Sequence, residues 1–115
     1  MSEDLSSYLP LSPAVLHILL ALASGDLHGY GLMQEVERQS EGQYKLGPGT
    51  LYDNLQRLMV QGLVEQASLP KGQDPRRRYY QLSSLGRKIL AADVARLEEV
   101  VREARACLGR TRRAI

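Results

Sequence analysis

A chain of 115 residues and 12.8 kDa has room for one compact domain plus a protruding element, and its 43% hydrophobic content is ordinary for a globular fold. No apolar run nears the ~20 residues a membrane-spanning helix needs, and residues 1–10 are polar and acidic rather than basic and then apolar. A cytoplasmic protein without membrane contact is therefore expected, and the single Cys107, which cannot form an internal disulfide, agrees with a reducing compartment.

Residues 1–10 read as an N-terminal tail. Ser12-Pro13 opens the first periodic segment, since Ser is a good N-cap and Pro is tolerated in the first turn. Val15, Ile18, Leu19 and Leu22 recur at helical spacing until Ser24-Gly25-Asp26 breaks the pattern. A second helix is predicted from Gly29 to Gln39, with Leu32, Met33 and Val36 inward. Gly47-Pro48-Gly49-Thr50 is strong turn punctuation, and a third helix follows to about Gln61 with Leu51, Leu55, Leu58 and Met59 in one arc. Gly62 stops it, where a left-handed residue is easiest to accommodate.

Beyond Gly62 the period changes. Residues 63–67 and 77–82 read as two strands of a hairpin, joined by a polar loop over residues 69–75 rich in turn formers. Ser83-Ser84 then caps a last helix expected to reach Leu108 and to end at Gly109, leaving residues 110–115 as a basic tail. Along it Leu90, Val94, Leu97, Val101, Ala104 and Leu108 step by four and three, the spacing of a coiled-coil-like seam.

Helix, helix, helix, strand, strand, helix is the order of a winged helix-turn-helix. The expected architecture is mainly α with a small β-hairpin: a reading domain over residues 11–83 and a dimerisation helix over residues 84–109. DNA-binding versions set the third helix in the major groove and let the wing touch the backbone or minor groove. Opposite the Leu51/Leu55/Leu58 arc stand Gly49, Thr50, Asp53, Gln56 and Arg57, with Tyr52 at the flank. Arg can read guanine, Gln adenine, and Asp can accept from cytosine, while the Thr and Tyr hydroxyls suit phosphates.

The net charge is only +2, but Lys71, Arg76, Arg77 and Arg78 cluster in the wing, and such local clusters contact phosphates even when total charge is small. Double-stranded DNA is the expected partner. The seam residues Leu90, Val94, Leu97, Val101, Ala104 and Leu108 would leave an apolar stripe in water unless covered, so a homodimer is expected, matching an inverted-repeat site.

Several stretches in order, Leu27-His28-Gly29-Tyr30-Gly31-Leu32, Gly49-Thr50-Leu51-Tyr52, Leu55-Gln56-Arg57-Leu58, Gly62-Leu63-Val64, and Arg78-Tyr79-Tyr80-Gln81-Leu82-Ser83-Ser84-Leu85-Gly86, resemble the PadR family of bacterial transcriptional regulators. The resemblance runs from about Leu11 to the last helix. It implies a dimeric winged-helix repressor that binds an inverted-repeat operator and releases it when a small-molecule effector binds. It also implies the compact subgroup whose C-terminal region is a single dimerisation helix. By position, Thr50 and Tyr52 match a motif at the start of the recognition helix, whereas Gly29 and Tyr30 match a motif expected to be structural. The chain has no Trp, and its last helix carries no aromatic residue, which argues against the flat aromatic effectors implied by multidrug-responsive relatives.

A different class of function uses the same fold: a winged-helix module that binds proteins and not DNA. An enzyme reading has little support. His17 and His28 make no ligand pair, Cys107 has no base beside it, and neither a phosphate loop nor zinc spacing occurs, so no cofactor or metal is expected. His17 is expected as a packed or half-exposed helix residue, His28 as a turn residue before the second helix, and Cys107 as a small residue packed on its helix.

Overall fold

The computed structural model describes residues 4–68 and 76–114, with side chains as far as residue 109. Helix α1, Pro13–Ala23, starts as its punctuation demands: the Ser12 hydroxyl accepts from the Val15 N–H at 3.3 Å, with Pro in the first turn. Helix α2, Gly29–Gln39, and helix α3, Pro48–Val60, follow, and Ser84–Ala114 forms the long helix α4. Among the described residues three short strands complete the fold: β1, Leu27–His28, β2, Val64–Gln66, and β3, Tyr79–Leu82.

Helices α1 to α3 enclose one core. Ile18, Leu19 and Leu22 of α1 meet Leu32 and Val36 of α2 and Leu51, Leu55 and Leu58 of α3, all nearly or fully buried. Met59 departs from the expected inward arc and is 39% exposed, because it lies at the margin of the buried stripe rather than on its centre line. Gly62 closes α3 with a φ of +78°, and the Leu63 N–H reaches back to the Leu58 carbonyl at 2.9 Å. The expected N-terminal tail is structured where it is described: Ser6–Tyr8 form a 3-10 turn, and Leu5, Tyr8 and Leu9 pack against the core.

The expected two-stranded hairpin is a three-stranded antiparallel sheet in the order β1-β3-β2. Leu27 pairs with Tyr80 and His28 with Tyr79 on one side of β3, while Val64 pairs with Leu82 on the other. The strands are shorter than expected, and Arg77 and Arg78 precede β3 rather than lying in it. With a strand on each side, β3 is buried at successive residues, Tyr79 and Tyr80, and simple alternation fails.

Two fragments far apart in sequence join the sheet to α4. The Ser83 N–H donates to the Leu63 carbonyl at 3.1 Å. The Ser83 hydroxyl donates to the Gly62 carbonyl at 2.5 Å and accepts from the Gly86 N–H at 3.0 Å, so one side chain caps α4 and fastens it to the end of α3. A Cβ at residue 86 would collide with the Leu63 carbonyl oxygen, so only glycine permits this approach.

The first turns of α4 belong to the core. Ile89 and Asp93 are fully buried and Leu90 is 8% exposed, so Leu90, expected in an intermolecular seam, is already covered by its own chain. The Asp93 carboxylate accepts from Arg96 Nε at 2.7 Å. From residue 98 to residue 109 every side chain is exposed. The 31 residues of α4 extend about 46 Å at a helical rise of 1.5 Å per residue. The radius of gyration is accordingly 16.9 Å, against about 13 Å for a compact chain of this length.

Gly109 does not end the helix, which continues to Ala114 through what was expected to be a basic tail. A glycine in a solvated helix costs only about 1 kcal/mol, and helix formers stand on both sides. Cys107, expected to be packed, is exposed on this stretch, its thiol 3.3 Å from Glu103 Oε1. Among the described residues no helix is long and apolar enough to cross a membrane.

Candidate nucleic-acid interface

Helix α3 is positioned from beneath by its leucines, which leaves a defined arc outward. Gly49, Thr50, Tyr52, Asp53, Gln56 and Arg57 are all exposed, as expected of a reading surface. The structure divides this arc. Gln56, with Tyr52, Met59 and Val60, faces Arg78 and Tyr80 across a recess of about 540 Å³. Arg57 lies on the other flank, with Ser7, Ser12, Asn54 and Gln61 in a cleft of about 200 Å³. Gly49, Asp53 and Val60 occupy the outermost line between the flanks, as the 100° step of the helix requires. Val60 is 84% exposed, so the apolar end of this line is uncovered by the chain itself.

Tyr52 has two roles. It is 48% exposed, and its hydroxyl lies so close over Gly29 that a Cβ there would overlap it. Gly29, at the first position of α2, therefore makes room for a side chain of α3. Two motifs that looked independent in the sequence form one contact. Burial, then the neighbouring Tyr52, raises the pKa of Tyr80, with Arg78 opposing the rise.

On the wing side, Arg76, Arg77 and Arg78 are exposed just before β3, on the flank of α3 that carries Tyr52. Lys71 lies outside the described residues. Glu65 on β2 accepts from Gln81 Nε2 at 2.9 Å across the strand pair.

His28 is the residue that sequence reasoning missed. It is the N-cap of α2, with Nδ1 accepting from the Gly31 N–H at 3.0 Å. Its Nε2 lies 2.9 Å from Arg77 Nη1, and its ring stands edge-on to Tyr79 at 5.3 Å between centroids. Burial, and then the adjacent guanidinium, hold its pKa below the ordinary 6.5. The only sequence signal was its place next to Gly29-Tyr30; the contact with Arg77 arises because β1 pairs with β3. His17, by contrast, is half-buried and stacked on Tyr44 at 4.4 Å, a packing role.

At the other end of the molecule, Val94 (39%), Val101 (47%) and Leu108 (66%) are exposed on α4, with half-buried Leu97 and exposed Ala104 on the same row. Val94, Leu97 and Val101 line a shallow groove together with Glu98, Arg102 and Arg105.

The profile of the transcriptional regulator PadR-like family matches residues 16–92. The transcriptional regulator Rv3488 of Mycobacterium tuberculosis is 40% identical over 89 residues, which cover 76% of this chain and 78% of the relative. A PadR family transcription regulator of Clostridium difficile has a similar fold, with a TM-score of 0.71 at 21% identity over 84% of this chain and 99% of that one. Bacillus subtilis PadR, solved in complex with operator DNA, aligns with a TM-score of 0.62 at 20% identity over 72% of this chain and 47% of that one. Its three-helix core, three-stranded sheet and long last helix make this chain a winged-helix protein, and it belongs to the PadR-like family of transcriptional regulators, which are DNA-binding proteins rather than enzymes.

Proposed function

We propose that this regulator is a homodimeric repressor that binds an inverted-repeat operator, one half-site per protomer, through α3 and the arginines before β3. The observation that carries the reading is the shared face of two features: the exposed arc of α3 with Asp53 and Gln56, and Arg76 to Arg78 on its flank. Asp53 and Gln56 offer an acceptor for cytosine and a bidentate partner for adenine. Arg57, on the opposite flank beside Ser12 and Gln61, is assigned to the backbone rather than to base edges, contributing affinity more than sequence preference.

The dimer places the α4 row of Val94, Leu97, Val101, Ala104 and Leu108 against the same row of a second copy, and Leu90 stays with its own core. A two-fold pairing of this kind sets two recognition helices about one helical turn of DNA apart. An effector acting on the α4 seam meets aliphatic side chains and the cations Arg102 and Arg105, with no aromatic ring on that helix.

The test is binding of the purified protein to its own upstream region at several salt concentrations. A regulator that neutralises several phosphates loses affinity along a straight line in log salt, with a slope of about −0.9 per phosphate contact. A footprint with two symmetric halves is the expected result. Absence of any salt-dependent binding to that region defeats the reading.

A further inference from the structure

We propose that the recess between the start of α2 and the segment before β3 is a seat for one DNA backbone phosphate, with the Nε2–H of His28 and the guanidinium of Arg77 as its donors. This rests on the reading of the protein as a DNA-binding regulator, and it adds a site outside α3. The starting observation is a mismatch in hydrogen-bond roles. The Gly31 N–H can only donate, so Nδ1 of His28 must carry the lone pair that receives it at 3.0 Å. A neutral imidazole has one such lone pair, so the proton sits on Nε2. Arg77 Nη1, also only a donor, lies 2.9 Å from that Nε2. Two donors thus face each other with no acceptor between them.

The alternative tautomer satisfies Arg77 but removes the cap from α2. An anionic acceptor set between the two groups satisfies both without that loss. The recess holding them has a volume of about 390 Å³ and is lined also by Tyr30, Tyr52, Arg76 and Arg78, with no carboxylate among the described residues that line it. Tyr52, Arg78 and Tyr80 line this recess and also the one beside Gln56, so the seat continues into the reading face of α3. That continuity favours a phosphate diester of bound DNA over a free anion.

A pH signature follows. Among the described residues, the titratable and charged groups around the imidazole are Arg76, Arg77 and Arg78 before β3, Tyr79 and Tyr80 on it, Tyr52 on α3 and Tyr30 on α2. In the free chain burial and Arg77 disfavour the imidazolium. A bound phosphate favours it, so binding takes up protons and affinity rises as the pH is lowered through the ordinary imidazole value of 6.5.

The experiment compares wild type, His28→Asn and Arg77→Gln on the operator duplex by fluorescence anisotropy. Asn is itself a good N-cap, so His28→Asn keeps α2 while removing the Nε2–H, and its unchanged thermal melt verifies that. The expected result is a loss of about tenfold in affinity for operator and random duplexes alike, the scale of one hydrogen bond to a charged group. The pH dependence should flatten in His28→Asn. Single methylphosphonate substitutions along the operator should reveal one position in each half-site that weakens wild type and leaves both variants unaffected. If wild type binds DNA and His28→Asn matches it in affinity and pH profile, the seat is refuted while the regulator reading stands. If wild type binds no DNA, the regulator reading itself falls. If inorganic phosphate shifts the His28 imidazole resonances while both variants keep full DNA affinity, the site is one for free phosphate and the DNA assignment is overturned.

Discussion

The two ends of this molecule leave opposite kinds of surface uncovered. Around α3 the exposed side chains include Thr50, Asp53, Gln56 and Arg57 with three arginines alongside, and apart from Met59 and Val60 at its last turn this is a surface that water satisfies and that a charged polymer can dehydrate. Along the far half of α4 the exposed row is Val94, Val101 and Leu108, which water does not satisfy. A polar face can stand alone until DNA arrives. An aliphatic row on a helix projecting past its own core is the surface that the proposed dimer covers. The same chain therefore carries one surface suited to a transient partner and one suited to a constitutive partner.

The largest expected effect breaks the second surface and is read at the first. Leu97→Asp puts a carboxylate into the row without touching the reading head. Analytical ultracentrifugation should find monomers, and operator affinity should drop about 10²–10⁴-fold because the two half-sites are no longer engaged together. A variant that stays dimeric with full affinity places the seam elsewhere.

Next comes the junction between the two regions. Gly86→Ala drives a methyl group into the Leu63 carbonyl, backbone that cannot step aside, and should cost about 3 kcal/mol in denaturant unfolding. Gly29→Ala meets only the far end of the Tyr52 side chain, which can swing away at about 1 kcal/mol. Equal costs at the two glycines would contradict this difference in what they touch.

The smallest effect lies in the pH dependence of stability. The folded chain favours neutral His28, its pKa being held below 6.5 by burial and by Arg77. The unfolded chain therefore takes up the proton first, and the stabilisation present above pH 6.5 is lost as the pH falls from 6.5 through the lower value that His28 has in the folded chain. The melting temperature of wild type should fall across this window more than that of His28→Asn. The phosphate seat makes DNA affinity move in the opposite sense.

Much of the architecture could be read from local chemistry. Ser12-Pro13, Gly47-Pro48 and Gly62 bound their helices because caps, fixed φ angles and left-handed turns act within a few residues. Strand β1 could not be read this way. Two residues carry no periodicity, and Leu27–His28 becomes a strand only because β3 offers it an edge. Gly109 misled because a glycine in the interior of a solvated helix is a small penalty and not a stop. Among the expected site residues, Leu90 changed sides when α4 folded back on the core, and the α3 arc split into two flanks with Gln56 on one and Arg57 on the other.

Periodicity and turn chemistry were thus enough to set the order of elements, the outward residues of α3 and the apolar row of α4, because each depends on spacing along one helix. Only the packed chain decided that Tyr52 rests on Gly29, that Ser83 holds α4 to Gly62, and that His28 faces Arg77. Each of these is a pairing across 21 to 49 residues of sequence, created when β3 inserts between its neighbours and α4 closes over Leu63. Local spacing holds no record of which distant groups the sheet will bring together.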